Sequence, residues 1–155
     1  MRALLQRVSQ ASVAVDTETI ARIEQGLVVF LGIFPADDRA KVDYLVDKVL
    51  GLRVFADAAG LMNLSVQDVA GAVLVVSQFT LAADTRRGRR PGFSSAAPPE
   101  QAQLLYERFL STLSARYSGR YSGRHGAVQG GRFGADMKVA LVNDGPVTFL
   151  LETPA

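Results

Sequence analysis

An apolar run is followed directly by polar residues in the stretch Ala72-Val73-Leu74-Val75-Val76-Ser77-Gln78-Phe79-Thr80-Leu81. A short apolar run of this kind is consistent with a strand that is buried on both faces. We therefore predict a buried strand over residues 72–79. Its polar end, residues 77–80, could face a ligand.

Further strands are predicted on the N-terminal side of this run. Residues 27–34, which follow Gly26, are wholly apolar and predict a second buried strand. The alternating residues 11–15 and the run 20–23 predict two more. The first 34 residues are therefore expected to form a series of strands.

Two helices are predicted from helical spacing and capping residues. Apolar residues recur at spacings of 3, 4 and 7 between residues 42 and 49. Asp37 or Asp38 can cap this helix, and Gly51 can end it. The second helix begins at Pro98-Pro99-Glu100, since proline fits the first turn and glutamate favours the positive helix end. The whole pattern predicts an α/β fold, a single domain over residues 1–155 with mixed or antiparallel sheets.

A second informative stretch lies near the C-terminus: Asn143-Asp144-Gly145-Pro146-Val147-Thr148. It separates two strand-like runs, residues 139–142 and 147–151, because proline cannot donate a hydrogen bond to a strand ladder. An X-Pro bond can be cis at modest cost, although the residues alone favour trans. A rigid backbone corner beside a polar strand end suggests a site built largely from main-chain groups.

Composition excludes several classes of protein. The chain has no cysteine, and therefore no disulfide framework and no thiolate nucleophile. Its single histidine, His125, lies in a Gly-Arg-His-Gly stretch and is a poor base for a Ser-His-Asp triad. The carboxylates show no recognisable ligand spacing, so we expect neither a metal nor a cofactor. An N-terminus interrupted by charge and apolar runs too short for a bilayer predict a cytoplasmic protein without membrane attachment.

Charge is distributed unevenly along the chain. The net charge is +2, but residues 86–138 contain ten basic residues against three acidic ones, and the remainder contains seven against twelve. The densest part, Arg-Arg-Gly-Arg-Arg at residues 86–90, is called the basic segment below. Such segregation suggests a face that meets a polyanion, and arginine suits bidentate phosphate contact. A solvated basic loop is the alternative interpretation.

A tetrapeptide, Tyr-Ser-Gly-Arg, is duplicated at residues 117–120 and 121–124. Its glycine, serine and arginine content predicts a flexible exposed loop. Two interpretations are open: a tolerated duplication at the surface, which we favour, and an additional contact with RNA.

The two stretches quoted above resemble the D-aminoacyl-tRNA deacylases, a family of small dimeric editing enzymes. Further segments match in family order at residues 1–9, 62–65, 84–91 and 131–137, so the resemblance covers nearly the whole chain. It implies a homodimer with this family's fold that hydrolyses D-aminoacyl-tRNA. Glycyl-tRNA should also be a substrate, because glycine has no side chain to reject. The implied partner is the 3′ aminoacyl-adenosine end and acceptor stem of tRNA.

The candidate catalytic residues lie at the polar end of the predicted strand: Ser77, Gln78, Phe79 and Thr80. The backbone N–H groups of Phe79 and Thr80, with the Gln78 amide, could stabilise an oxyanion, each donor contributing roughly 3–4 kcal/mol as in other hydrolases. The resemblance marks Thr80 as an active-site residue, but its hydroxyl has no evident base. We favour a positioning role for Thr80 and leave open whether it or the ribose 2′-OH of tRNA activates water. An ordinary strand end is the alternative.

The resemblance assigns chiral selection to Gly145 and Pro146. In the family, a cis Gly-Pro pair enters the partner's pocket, where its carbonyl oxygens accept from the substrate's α-ammonium and collide with an L side chain. Three further residues match pocket-lining positions, and alternation would place them on one strand face: Phe133, Ala135 and Met137. Arg7 is matched to a role in holding the Gly-Pro carbonyls. Core packing for Met137 and a surface cation for Arg7 are the alternatives.

The basic segment is expected to steer the acceptor stem through phosphate contacts made by four arginines: Arg86, Arg87, Arg89 and Arg90. Two other functions remain open. In a non-catalytic RNA-binding dimer module these arginines would matter, but Gln78 and Thr80 would not. In a structural dimerisation domain neither group would matter.

Overall fold

The computed structural model describes residues 1–86 and 88–154. Their helices and strands are β1 (Arg2–Val15), β2 (Glu18–Ile23), β3 (Gly26–Gly32), α1 (Arg39–Gly51), β4 (Phe55–Ala56), β5 (Met62–Leu64), β6 (Ala72–Ser77), α2 (Pro99–Arg116), β7 (Val128–Gly130) and β8 (Lys138–Glu152). A 3₁₀ turn, Phe79–Ala82, follows β6. The predicted α/β fold with mixed sheets and two main helices is confirmed. In the described ranges, no helix combines the length and hydropathy needed to cross a membrane.

The main sheet is organised around β1, which is hydrogen-bonded along both of its edges. Both β3 and β8 pair antiparallel with its first half, and both β2 and β8 pair antiparallel with its second half. Beyond β3, the strand β6 runs parallel, and β7 pairs parallel with β6. Most of the pairing is therefore antiparallel, with β6 in the interior of the sheet.

Packing on both faces of β6 explains its continuous apolar run. Val73 and Val75 belong to a large core that includes Phe109 of α2 and the buried residues of α1. Leu74 and Val76 belong to a smaller core on the other face, formed with residues of β1, β2 and β3. A strand enclosed by two cores has no solvent face, and so shows no polar alternation.

The predicted features of both helices are present. Asp38 caps α1, since its carboxylate accepts from the Lys41 backbone N–H at 3.0 Å, and the helix ends at Gly51. The predicted apolar residues of α1 are buried: Val42, Leu45, Val46 and Val49. The second helix, α2, begins at Pro99 with Glu100 in its first turn.

The strand β6 is shorter than predicted. The Gln78 backbone N–H still bonds to the Leu31 carbonyl oxygen at 2.8 Å, but the chain then enters the 3₁₀ turn. Phe79 is consequently 58% exposed, whereas a position inside the strand would bury it. The polar end is therefore a tight turn at the strand terminus.

The two strands predicted near the C-terminus form one strand, β8, which contains Gly145 and Pro146. The Asn143 side chain spans the interruption, because its Oδ1 accepts from the Val147 N–H at 2.8 Å and its Nδ2 donates to the Val147 carbonyl at 3.2 Å. The pairing with β1 shifts register beside this segment. A side chain thus supplies hydrogen bonds where the proline cannot.

Candidate active site

The polar end of β6 forms a wall between two adjoining cavities of about 300 Å³ and about 250 Å³. The wall residues Ser77, Gln78 and Phe79 line both cavities, as does Gly134. Thr80, the fourth predicted catalytic residue, follows at an exposed position. All four residues therefore lie at the C-terminal end of β6, where three of them line the cavities.

The 3₁₀ turn presents main-chain donors at this wall. Phe79 and Thr80 are its first residues, and among the described residues neither backbone N–H has an acceptor. This follows from helical geometry, because first-turn N–H groups have no carbonyl partner within the turn. Such groups can donate to the developing negative charge of a reacting carbonyl.

The Thr80 hydroxyl lies beside an amide rather than a base. The Gln78 Nε2 donates to Thr80 Oγ1 at 2.5 Å, and an amide nitrogen cannot accept a proton in return. Across the described parts of the chain, no histidine or carboxylate hydrogen-bonds to this hydroxyl. The described hydrogen bonds therefore orient the Thr80 hydroxyl and include no general base for it.

The larger cavity is mainly apolar beyond its wall. Seven further residues line it: Leu31, Ile33, Ala96, Ala97, Pro99, Ala102 and Phe133. They come from β3 and its end, from the segment leading into α2, from α2 itself and from the turn after β7. A cavity with a few polar groups on an apolar lining is suited to an apolar or aromatic part of a ligand.

Tyr106, a buried residue of α2, connects β6 to the turn after β7. Its hydroxyl lies 3.0 Å from the Val75 carbonyl oxygen and 2.9 Å from that of Gly131, so it can donate to either. Its ring contacts Phe133 with centroids 5.9 Å apart. Burial raises the pKa of the Tyr106 phenol to about 12. This tyrosine positions the turn after β7 against β6.

The predicted strand around Phe133, Ala135 and Met137 is wrong. These residues form a turn, in which Gly134 has a φ of +75° and the Ala135 N–H bonds to the Arg132 carbonyl at 3.2 Å. They consequently do not share one strand face. Phe133 lines the larger cavity, whereas Ala135 and Met137 line the smaller one.

Arg7 tethers the segment before Gly145. Its Nε donates to the Asp144 carbonyl at 2.8 Å and its Nη1 to the Val54 carbonyl at 2.6 Å, with the side chain only 14% exposed. The Gly145–Pro146 peptide bond is cis, and both residues are exposed. Neither residue lines the two cavities, so a single chain does not bring them to the wall.

The basic segment is partly occupied by an internal ion pair. Arg86 binds Asp84 in bidentate fashion, at 2.9 Å and 2.8 Å, and this guanidinium lowers the pKa of the Asp84 carboxyl. Arg89 and Arg90 are exposed, and Arg87 lies outside the described residues. The predicted phosphate-contacting arginines therefore differ in their surroundings, since Arg86 already has an anionic partner.

Phe93 is a neighbour of the site that sequence reasoning missed. Reciprocal backbone hydrogen bonds between Asp84 and Gly92, at 2.8 Å and 2.9 Å, close the loop that carries the basic segment. The next residue, Phe93, meets Phe79 edge to face, with ring centroids 5.0 Å apart and planes at 61°. This contact joins the basic loop to the wall.

The fold and the site define a class of protein. A family model described as D-Tyr-tRNA(Tyr) deacylase matches residues 4–152, and the chain belongs to this family. The D-aminoacyl-tRNA deacylase of Shewanella amazonensis is 55% identical over 152 residues, which are 98% of this chain and 99% of that protein. The protein of the same name from Cellvibrio japonicus is 54% identical over the same shares of both chains.

Solved structures agree with this fold. One described as "c-Myc DNA Unwinding Element Binding Protein" is 42% identical to this chain and has a TM-score of 0.91 over the whole of both chains. Another, described as a probable eukaryotic D-amino acid tRNA deacylase, is 19% identical with a TM-score of 0.77 over 97% of both chains. At that lower identity the likeness shows the fold alone.

Proposed function

We propose that this protein is a D-aminoacyl-tRNA deacylase, which hydrolyses the ester between a D-amino acid and the 3′ end of tRNA. The products are the free D-amino acid and tRNA. Family membership supports this, as do relatives of that name that are more than half identical over nearly the full length of both chains. The observation that carries the proposal is the turn after β6, where the Phe79 and Thr80 N–H groups have no acceptor among the described residues and Phe79 lines two adjoining cavities.

In the proposed reaction, the ester carbonyl oxygen accepts from the Phe79 and Thr80 N–H groups. Water adds to the carbonyl carbon, the oxyanion is stabilised by these donors, and the bond to the ribose oxygen breaks as that oxygen gains a proton. Loss of one such donor in other hydrolases costs about 10²–10³ in rate. An aminoacyl ester is more reactive than an amide, so a site without a strong base is sufficient.

Thr80 positions the reacting groups in this proposal, held by its hydrogen bond from Gln78. Two groups could activate the water: the Thr80 hydroxyl and the terminal ribose 2′-OH of tRNA. The amide beside Thr80 supplies no base, which favours the ribose hydroxyl. The adenosine terminus would then enter beside residues 77–80, next to the larger cavity.

Chiral selection is proposed to require a homodimer. Gly145 and Pro146 of one protomer would enter the site of the other, where their carbonyl oxygens accept from the α-ammonium and exclude an L side chain. Their exposure, and the Arg7 hydrogen bond to Asp144, support a fixed segment that projects outward. The same strand exposes three apolar residues that an interface would cover: Val142, Phe149 and Leu150. Glycyl-tRNA would also be accepted, because glycine presents no side chain.

Contact with the acceptor stem is proposed for the basic segment. Arg89 and Arg90 are exposed, and Arg86 remains accessible despite its pair with Asp84. Arginine contacts to phosphate carry no sequence information, so they would hold tRNA without selecting an anticodon. Arg87 is included in this proposal from the sequence.

A non-catalytic nucleic-acid-binding dimer is the rival function. One observation favours it: the relative with a TM-score of 0.91 is described by its binding of a DNA unwinding element. This rival requires the arginines but not the donors of the turn. It therefore predicts binding without turnover.

Hydrolysis of matched D- and L-tyrosyl-tRNA at equal enzyme concentration separates these functions. We expect release of D-tyrosine and retention of L-tyrosine on tRNA. Release from neither substrate would overturn the proposal and leave the two functions without turnover, the binding dimer and the structural dimerisation domain. Equal release from both would keep the hydrolase but remove the account of chirality.

A further inference from the structure

The duplicated tetrapeptide, residues 117–124, forms two copies of one local packing arrangement between α2 and β7. In each copy the glycine lies against the ring of the tyrosine two residues earlier. A Cβ atom at Gly119 would collide with the Tyr117 ring, and one at Gly123 would collide with the Tyr121 ring. The arginine of each copy follows this contact directly, so the duplication repeats a structure as well as a sequence.

The two tyrosines attach the repeat to opposite faces of the sheet. Tyr117 packs against the large core, and its hydroxyl donates to the Gly71 carbonyl at 2.8 Å. Tyr121 packs against the smaller core. The Ser118 N–H donates to Gln67 Oε1 at 2.7 Å. The repeat is therefore anchored at several points, although its composition alone predicts a flexible loop.

The arginines of the repeat remain at the surface. Arg120 and Arg124 are exposed, and neither forms an ion pair within the described ranges. The earlier Arg108 and Arg116 differ, because both pair with Asp43 of α1, at 3.5 Å and 3.1 Å. No acidic residue occurs from residue 108 to 135, so the sequence around the repeat does not neutralise its charge.

This arginine pair lies at the opposite end of β6 from the candidate active site. Gln67 and Gly71, which bond to the repeat, precede β6, whereas residues 77–80 form its far end. A strand of six residues spans about 20 Å at about 3.3 Å per residue. The repeat and the basic segment are therefore separate surfaces.

We propose that Arg120 and Arg124 form a second phosphate-binding surface, which contacts the tRNA backbone at a distance from its 3′ end. This inference rests on the proposed function for the identity of the RNA. The guanidinium fork matches phosphate oxygens in bidentate geometry. Because the tyrosine rings pack against the cores, the repeat exposes charge without the aromatic residues that membrane insertion or a protein interface core would use.

Binding of an uncharged tRNA transcript at several salt concentrations tests this surface. The variants are Arg120→Ala/Arg124→Ala, the charge-retaining Arg120→Lys/Arg124→Lys, and a matched control, Arg39→Ala/Lys48→Ala, which removes two exposed cations from α1. Each phosphate contact contributes about 0.7–0.9 to the slope of log affinity against log salt. We expect the alanine pair to reduce this slope by about 1.4–1.8, the lysine pair to retain most of it, and the control to leave it unchanged.

The same data yield a fold-change. The ratio of the wild-type affinity for tRNA to that of the alanine pair should fall roughly tenfold between about 50 mM and about 200 mM salt. An unchanged slope, or an equal fall in the α1 control, would overturn the proposal. Binding of the same variants to anionic vesicles is the second measurement. If the alanine pair binds vesicles less well than wild type but keeps the wild-type salt slope for tRNA, the proposal is overturned and a lipid partner is indicated. Thermal unfolding of each variant establishes that it is folded.

Hydrolysis of D-tyrosyl-tRNA by the same samples separates this inference from the proposed function. If wild type does not hydrolyse the ester but the salt slope still falls in the alanine pair, the deacylase function fails and the phosphate surface remains. If wild type is active and the slope is unchanged, the phosphate surface fails and the deacylase function remains.

Discussion

The 3₁₀ turn at residues 79–82 and the loop that carries the basic segment at residues 86–90 are joined by the contact between Phe79 and Phe93, but they present their polar groups differently. The turn offers main-chain N–H groups whose direction is fixed by β6 and by the Gln78 bond to Leu31. The described arginines of the basic segment are exposed side chains. Fixed dipoles can stabilise a transition state, because they need no reorganisation during the reaction. Exposed charges act at longer range, and salt screens them.

The largest expected effect comes from removing one main-chain donor. Phe79→Pro deletes the Phe79 N–H at the first position of the turn, where proline is tolerated. The preceding Gln78, with φ −142° and ψ 77°, lies outside the helical region that a following proline disfavours. We expect the rate of D-tyrosyl-tRNA hydrolysis to fall about 10²–10³-fold below that of Phe79→Ala. The alanine variant is the matched control, since it lacks the ring but keeps the N–H. Equal rates in the two variants, with both folded, would show that the chemistry does not use this donor.

The next effect concerns Arg7, which tethers the segment before Gly145. Arg7→Ala removes the hydrogen bonds to the Asp144 and Val54 carbonyls, so the projecting segment loses its support. We expect the ratio of D- to L-tyrosyl-tRNA hydrolysis to fall by roughly tenfold, the equivalent of one charged hydrogen bond. Gln6→Ala, on the preceding residue of β1, provides the control. Discrimination that stays at the wild-type value would make Arg7 a structural cation only.

The basic segment should respond to salt, unlike the turn. Arg89→Ala/Arg90→Ala removes two exposed cations while leaving the wall intact. We expect KM for D-tyrosyl-tRNA to rise several-fold at about 50 mM salt and kcat to be unchanged, with the difference in KM disappearing by about 200 mM salt. A fall in kcat that is independent of salt would assign these arginines to the chemistry and erase the contrast between the two regions.

The smallest expected effect on activity comes from Tyr106, which supports the wall from within. Tyr106→Phe leaves the Val75 and Gly131 carbonyls without this donor and should lower the free energy of unfolding by about 1–3 kcal/mol, measured by denaturant titration. We expect kcat/KM to fall only a few-fold. Unchanged stability would mean that the hydroxyl is not needed to hold the turn after β7.

The raised pKa of Tyr106 predicts that the free energy of unfolding depends on pH. Burial raises the pKa of Tyr106 from 10.0 to about 12, so the unfolded state releases this proton first. The associated stability is fully present below pH 10 and is lost as pH rises towards 12. Wild type should therefore lose more stability than Tyr106→Phe over this interval, whereas parallel profiles would contradict the assignment.

Sequence periodicity predicted the features that depend on local chemistry. The α1 helix follows from its apolar spacing and the Asp38 cap, and β6 follows from an apolar run enclosed by two cores. The position of the wall residues was also predicted, because polar residues directly follow this apolar run, although an ordinary strand end would explain the same pattern. These elements need no knowledge of distant contacts.

The errors arose where distant groups decide the local structure. Alternation around Phe133 suggested a strand, but Gly134 adopts a positive φ and Tyr106 bonds to the Gly131 carbonyl, which together favour a turn. The Asn143 side chain similarly keeps β8 continuous across its proline. The pairing of Arg86 with Asp84 shows that counting charges along the sequence overlooks arginines that already have an anionic partner.

The central claim, that one active site is completed by main-chain atoms of two protomers, is tested most directly by complementation. Phe79→Pro damages the wall of its own chain, and Gly145→Val damages the segment offered to the other chain. Each variant alone should be nearly inactive on D-tyrosyl-tRNA. Refolding them together gives mixed dimers with one intact site in two, so about a quarter of wild-type activity should return. An inactive mixture in which mass spectrometry detects the mixed dimer would contradict the claim.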